Sequence, residues 1–367
     1  MTSGTAFDAI VVGGGPAGSS CAGALITAGL RVLVIDAASF PRDKTCAGWI
    51  TLPVVDLLHL DLAEYGRTRV CQPITAFRTG RIGSALRDTR FDDVVSYGIC
   101  RVEFDHYLLR RSGADVVDGI PVSSLRYERE MWLVNGTFTA PMLVGAGGHR
   151  CPVARHLGAR PSQELAVAAQ EVEFTLTPAQ AARSRVEAGT PELSLCADLK
   201  GYGWCILKGN CLNVGLGRLD PNHLPAHVRE FRTALVDGGI VPPDTPECWR
   251  GHAYLLRDVS PRRVVDSGAV LVGDAAGLAI AISGEGIRPA IESGLAAARY
   301  ILSADRRYDR ARLEPYAEWL QKRYPQGRHA ALERLPEALI KRVISGLLET
   351  SWFTRRVLLE RWFLQAA

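Results

Sequence analysis

An apolar strand that runs directly into a glycine turn constrains this chain more than any other feature. The stretch Asp8-Ala-Ile-Val-Val-Gly13-Gly14-Gly15-Pro16-Ala17-Gly18 is followed by a helix-compatible run, and Val32-Leu-Val-Ile-Asp36 closes the unit. In a βαβ fold each part has a physical task. Gly13 permits the tight turn, Gly15 lets backbone N–H groups approach a pyrophosphate, and Gly18 lets the helix pack close to the strand. The helix N-terminus then favours the phosphate charge, and Asp36 can accept from a ribose 2′-OH. A lone glycine turn is weak evidence. A strand before it, a helix after it and an acid 18 residues past Gly18 together predict a dinucleotide site. On these residues alone, FAD and NAD both remain open.

The rest of the composition fits a globular enzyme. With 367 residues the chain has length for roughly two domains. Its 47% hydrophobic and 22% charged residues exclude a disordered chain. A net charge of +4 argues against nucleic acid as a partner. From Lys322 onward nine Lys/Arg face four Glu, so the positive excess belongs to the tail. The nine cysteines (Cys21, Cys46, Cys71, Cys100, Cys151, Cys196, Cys205, Cys211, Cys248) are scattered, without any CxxC. They read as reduced thiols of a cytoplasmic protein, with no metal cluster expected. Ala9 to Leu30 is uncharged and long enough to mimic a membrane span, but its central glycines and the lack of a preceding Lys or Arg favour a buried βα unit.

Further along, Phe40-Pro41-Arg42-Asp43-Lys44-Thr45-Cys46-Ala47-Gly48 reads as a loop leaving the second strand, where ligands bind in open α/β sheets. Cys46 has Lys44 nearby, a setting that can lower a thiol pKa, although a buried structural cysteine is the commoner outcome. A helical run is expected over Pro53 to Tyr65, and Arg101 should open an amphipathic helix. Short strands from Asp115 to Val144 end at Gly145-Ala146-Gly147-Gly148, and more strands are expected between 163 and 220. There Tyr202 and Trp204 sit at alternate positions, so a strand turns both rings to one side. They could line a pocket or pack in a core. Finally, Val272-Gly273-Asp274 ends an apolar strand, and Ser283-Gly284-Glu285-Gly286-Ile287 opens a helix.

Together GGGPAG with Asp36, Arg101 followed by Phe104-Asp105, the strand ending GAGG, and GDAAG with SGEGI resemble the flavoproteins of the para-hydroxybenzoate hydroxylase fold. The loop through Cys46-Ala47-Gly48, Tyr202-x-Trp204 with Lys208-Gly209, and Glu292-Ser293-Gly294 resemble the geranylgeranyl reductase branch, over residues 8 to about 300. The resemblance implies an α/β protein with an α+β second domain: a Rossmann-like FAD-binding domain, a mixed β-sheet substrate domain and C-terminal helices. The expected division is 1–70, 98–158 and 262–302 for FAD, 71–97 and 159–261 for substrate, and 303–367 for the helical region.

By the same resemblance Gly13, Gly15, Pro16, Ala17, Gly18 and Asp36 hold the ADP half of FAD. Arg101 and Asp274 reach the pyrophosphate and ribityl chain, and Gly284, Glu285, Gly286 and Ile287 approach the isoalloxazine. Lys44, Cys46, Ala47, Gly145, Ala146, Gly147 and Gly273 complete the cofactor set. Cys46, Tyr202 and Trp204 are the expected catalytic residues, Cys46 as a thiol near the flavin and the rings as pocket walls. Three departures stand out. Ile206-Leu207 replaces the branch's Phe-Pro, Ala47 replaces a glycine, and Gly147-Gly148 replaces the Asp-Gly pair that helps hydroxylases place NADPH.

The expected activity is FAD-dependent reduction of C=C bonds in an isoprenoid-like lipid, fed by NAD(P)H or a redox protein. A hydroxylase or halogenase acting on an aromatic substrate is the alternative, and a flavin-binding redox partner without chemistry of its own the third reading. The tail steps Leu335, Leu339, Val343, Leu347 by four and continues through Trp352, Phe353, Trp362 and Phe363 with interleaved arginines. It is expected to cap the substrate domain, with a basic surface resting on anionic membrane as the sharper alternative.

Overall fold

A computed structural model describes residues 5–159, 166–219, 223–256, 262–280, 283–325, 346–347 and 350–364. The elements that position the site begin with β1 (Ala9–Val12), α1 (Pro16–Thr27), β2 (Val32–Ile35) and β3 (Trp49–Thr51). They continue through β4 (Ser96–Ile99), α2 (Arg101–Arg111), β5 (Asp115–Val117), β6 (Met142–Gly145), β7 (Ala166–Thr175) and β8 (Glu192–Leu195). The last are β9 (Gly201–Lys208), β10 (Cys211–Arg218), α3 (Leu224–Asp237), β11 (Val265–Asp266), β12 (Ala269–Leu271) and α4 (Ile287–Ser303).

The chain divides into two compact units. Residues 1–43, 102–165 and 254–328 form the first; residues 44–101, 166–253 and 329–367 form the second. Residues 44–70 thus group with the second unit, where the sequence reading put them with the first.

In the first unit six strands lie in the order β11-β12-β6-β1-β2-β5, all neighbours parallel except β11 with β12. Parallel strands covered on both faces read as continuous apolar runs, and β1 and β2 are buried along their whole length. Each buried aliphatic side chain there contributes about 2 kcal/mol. Helix α1 carries almost no polar face because α4 crosses it, and Gly294 makes the crossing tight. A Cβ on Gly294 would stand 2.3 Å from the Ala17 carbonyl oxygen.

The second unit is built on an antiparallel sheet running β7-β10-β9-β8, extended by Ala76–Arg81 and Arg87–Arg90. Period-two alternation gives this sheet two unlike faces. Val172, Cys205, Leu212, Val214 and Leu216 pack beneath Val228, Phe231 and Leu235 of α3. The opposite face carries Glu171, Glu173, Trp204, Lys208 and Asn213, placed side by side by the pairings Glu173↔Asn213, Glu171↔Gly215 and Trp204↔Gly215.

Two local expectations change. The run from Pro53 to Tyr65 is two short helices, Leu52–Leu58 and Leu62–Tyr65, because His59 takes a left-handed conformation (φ 45°) that ends the first. The tail pattern through Leu335, Leu339 and Val343 lies outside the described residues, while Thr354–Phe363 forms a wide π-type helix. Among the described residues no helix is long and apolar enough to cross a membrane.

Candidate functional site

The site falls into two parts, each built within one unit. In the first unit β1 delivers the chain to Gly13, whose φ of +114° excludes side chains and whose Cβ would stand 2.4 Å from the Ala146 carbonyl. Gly18 is tighter, since a Cβ there would stand 1.9 Å from the Gly13 carbonyl oxygen. Gly15 then caps α1 without any side-chain hydrogen bond, and Pro16 occupies the first helical turn. The open N–H groups and positive dipole end are what a diphosphate requires. Asp36 braces the turn, its Oδ2 accepting from Gly14 N at 2.7 Å and its Oδ1 from Ala38 N at 2.9 Å.

The remaining glycine segments gather at the same place. Gly145, Ala146 and Gly147 close over Gly13 through Ala146 N to Val12 O at 2.8 Å. Gly273 lies against Ala17, where its Cβ would meet that of Ala17 at 3.0 Å, and donates its N–H to Ser293 Oγ. Asp274 Oδ1 would stand 3.4 Å from a Cβ on Gly286, the residue that caps α4 before Ile287. Gly284 and Glu285 form the preceding turn through Gly284 N to Ile280 O and Ile280 N to Glu285 O.

Sequence reasoning missed Arg42. Its Nη2 pairs with Asp105 Oδ2 at 3.2 Å, its guanidinium lies over the Phe40 ring, and a Cβ on Gly15 would stand 3.3 Å from it. Its Nη1 is buried without a hydrogen-bond partner. A buried guanidinium N–H without a hydrogen-bond partner, beside an uncapped helix N-terminus, fits a diphosphate, so these residues suit a dinucleotide. The signal was weak because Asp105 follows 63 positions later.

In the second unit the Cys46 loop is held from its backbone. Cys46 N donates to Glu171 Oε1 at 2.7 Å, and Asn213 Nδ2 donates to Cys46 O at 3.1 Å. Lys208, fully buried, gives Nζ–H to Ala47 O at 3.2 Å, to Ile99 O at 3.0 Å and to Glu173 Oε2. Burial works against the Lys208 ammonium, but the Glu173 carboxylate together with Cys100 and Cys211 offsets it, so its pKa is raised. Burial pushes the Glu171 carboxyl up to about 7, against the hydrogen bonds from Cys46 and Asn213.

Trp204 is buried and its Nε1 donates to Asn213 Oδ1 at 2.7 Å, while its ring lies across Gly215, whose Cβ would come within 2.2 Å. It shares its face with Tyr202, the ring centroids 6.0 Å apart. Tyr202 in turn meets Phe363 edge-on at 5.2 Å, and Phe363 stacks on Trp49 at 5.8 Å. Lys44 reaches His252, with Nζ to Nε2 at 2.6 Å. Arg101 is buried at the start of α2, where a stretch of the second unit ends. The structure therefore gathers Gly13, Gly15, Gly18, Asp36, Gly145, Gly147, Gly273, Asp274 and Gly286 in the first unit. Lys44, Cys46, Ala47, Arg101, Tyr202 and Trp204 belong to the second.

The scattered cysteines hide one meeting. Ligand atoms of Cys100, Cys211 and Glu173 lie within 4.8 Å of one another. A hydrogen bond to Cys211 and then burial keep the Cys100 thiol protonated, and the Lys208 ammonium already neutralises Glu173.

A family model described as an FAD binding domain matches residues 8–59. The menaquinone reductase of Mycobacterium tuberculosis is 31% identical over 319 residues, covering 81% of this chain and 77% of the relative. A geranylgeranyl bacteriochlorophyll reductase-like protein of Thermoplasma acidophilum superposes with a TM-score of 0.73 at 21% identity, over 94% of this chain and 88% of that one. A variant of the halogenase PltM in complex with FAD superposes with a TM-score of 0.67 at 18% identity, over 94% and 76%.

Proposed function

Because the chain belongs to the geranylgeranyl reductase-like family of FAD-dependent oxidoreductases, with a menaquinone reductase among its relatives, we propose that it reduces a C=C bond in the isoprenoid chain of a lipid such as a quinone. The observation that carries this reading is a run of rings in the second unit. Phe91, Phe77, Trp49, Phe363 and Tyr202 follow one another with centroids 5.2 to 6.2 Å apart. Such a run suits a long apolar chain better than a single polar ring, because its payload is apolar area with few hydrogen bonds.

FAD, when bound, supplies the hydride. The residues that would hold its diphosphate are Gly13, Gly15, Gly18 and Arg42, with Asp36 towards the ribose and Asp274 towards the ribityl chain. Cys46 would stand against the substrate as a proton-bearing thiol, in a setting that excludes water and so protects the reducing equivalent. Tyr202 would form a wall of the pocket. Trp204 would act through Asn213 instead, since its N–H is spent on the amide that holds Cys46 O. The electron donor would be NAD(P)H or a redox protein.

The test is anaerobic incubation with reductant and a menaquinone or a geranylgeranyl lipid. The expected product is heavier by two hydrogens per saturated bond. Oxygen consumption tied to a hydroxylated or halogenated aromatic product would replace this reading with oxygen chemistry. For a lipid substrate the exposed Trp352, with Arg355 and Arg356 nearby, would touch anionic membrane. Partitioning onto anionic vesicles that is equal for the full chain and its Trp352→Ser variant ends that part of the reading.

A further inference from the structure

The polar face around Cys46 brings two carboxyls, Glu171 and Glu173, to one ammonium, Lys208. Lys208 has three hydrogens and three acceptors, Ala47 O, Ile99 O and Glu173 Oε2, so its donors are used up. Asn213 is oriented by Trp204, a donor that can only meet the amide oxygen, which leaves Nδ2 with two hydrogens. Three acceptors surround that nitrogen: Glu173 Oε2 at 2.8 Å, Cys46 O at 3.1 Å and Glu171 Oε2 at 3.2 Å. Glu173 Oε2 is also served by Lys208, so the hydrogens suffice, but two carboxylate oxygens, from Glu171 and Glu173, converge on this one nitrogen.

The charges do not balance. Glu171 is 5% exposed, and the Lys208 ammonium is paired with the half-buried Glu173. Glu173 on the same strand, Lys208 across the sheet and the Cys46 backbone are the groups that set the state of Glu171. A proton on the Glu171 carboxyl makes the set of Glu171, Glu173 and Lys208 neutral and relieves the repulsion between the two carboxyls.

We propose that Glu171 is the proton store of this enzyme, replenishing the thiol of Cys46, whose backbone N–H it accepts. This rests on the reductase reading above for what the proton is used for. Once one alkene carbon has taken hydride, the Cys46 S–H bond breaks and a C–H bond forms at the neighbouring carbon. The Glu171 O–H bond then breaks as the S–H bond re-forms. Glu171 is left as a carboxylate until water returns a proton, so atoms and charge balance with the electron pair drawn from the external reductant. Glu171 is thus a positioning and relay residue. Its carboxyl, held up to about 7 by burial, matches a group that gives and regains a proton near neutrality.

Infrared difference spectra of the unmodified holoenzyme across neutral pH test the store directly. The expected result is the carbonyl band of a protonated buried carboxyl that disappears as pH rises through about 7 and is missing in Glu171→Gln. Glu171→Gln should keep its flavin spectrum, lose at least tenfold in kcat with little change in KM, and lose the alkaline limb of the kcat–pH profile. No titrating carboxyl band, or a band that survives in Glu171→Gln, overturns the store whatever the substrate is. Full turnover with an unchanged pH profile in Glu171→Gln overturns its use in the reaction. An enzyme that shows the band but saturates no alkene overturns the reductase reading and the delivery step, and leaves the proton's place on Glu171 intact.

Discussion

The two units hold backbone in opposite ways. In the first, loops are fixed by what is missing: Gly13, Gly18 and Gly294 bring main chains so close that a Cβ would overlap a carbonyl oxygen. In the second, the Cys46 loop is fixed by long polar side chains that reach from three strands to its carbonyls and N–H. A glycine contact is rigid and insensitive to pH. A hydrogen-bonded clamp carries charge, and so can respond to protons. Cofactor binding asks for the first property, and a reaction that consumes protons asks for the second.

The largest effect should come from breaking the rigid half. Gly18→Ala places a methyl group 1.9 Å from the Gly13 carbonyl. It should cost about 5 kcal/mol and yield colourless protein. A yellow variant of unchanged melting temperature would refute the close-approach account. Lys208→Met, in the polar half, leaves Glu173 without its cation and should cost about 4 kcal/mol, read as a lower denaturation midpoint. FAD stoichiometry should be unchanged, which separates the two halves.

Next comes the pH window of Glu171. Its folded pKa is raised from 4.5 to about 7, so the folded state binds the proton more tightly than the unfolded chain. Stability is then fully present below about pH 4.5 and is lost as pH rises through about 7, by about 3 kcal/mol. Melting curves of wild type against Glu171→Gln should converge in acid and diverge toward neutrality, with the variant the more stable there. A constant difference across that window would remove the clamp's proton sensitivity.

Trp204→Phe keeps the ring over Gly215 but frees the Asn213 amide. It should lower turnover roughly tenfold, about 1.4 kcal/mol, with the flavin spectrum preserved. The smallest effect should be at the surface: Arg356→Ala breaks an exposed pair with Glu360 and should change stability by less than about 0.5 kcal/mol.

How much of this was legible depends on how far apart the partners are. The glycine cradle could be read because each constraint is local, with strand, turn and helix contiguous from Asp8 to Gly18 and the carboxylate of Asp36 at the next strand end. Tyr202 and Trp204 could be placed on one face because a strand has period two. That the Trp204 N–H meets an amide could not be read, because Asn213 joins it only through the register of β9 and β10. A usable signal did exist: Glu171-x-Glu173, Lys208 and Asn213 are polar positions in otherwise apolar strands, which argues for a buried polar face. Arg42 gave no comparable sign.

The sequence by itself determined the βαβ unit, the order of apolar strands and the glycines on which a dinucleotide can rest, because sterics and hydrophobic periodicity act between near neighbours. Tertiary structure alone decided that Glu173 and not Glu171 pairs with Lys208. Asn213 reaches Cys46 across 167 positions, and hydrogen bonds of that span exist only after the strands have paired.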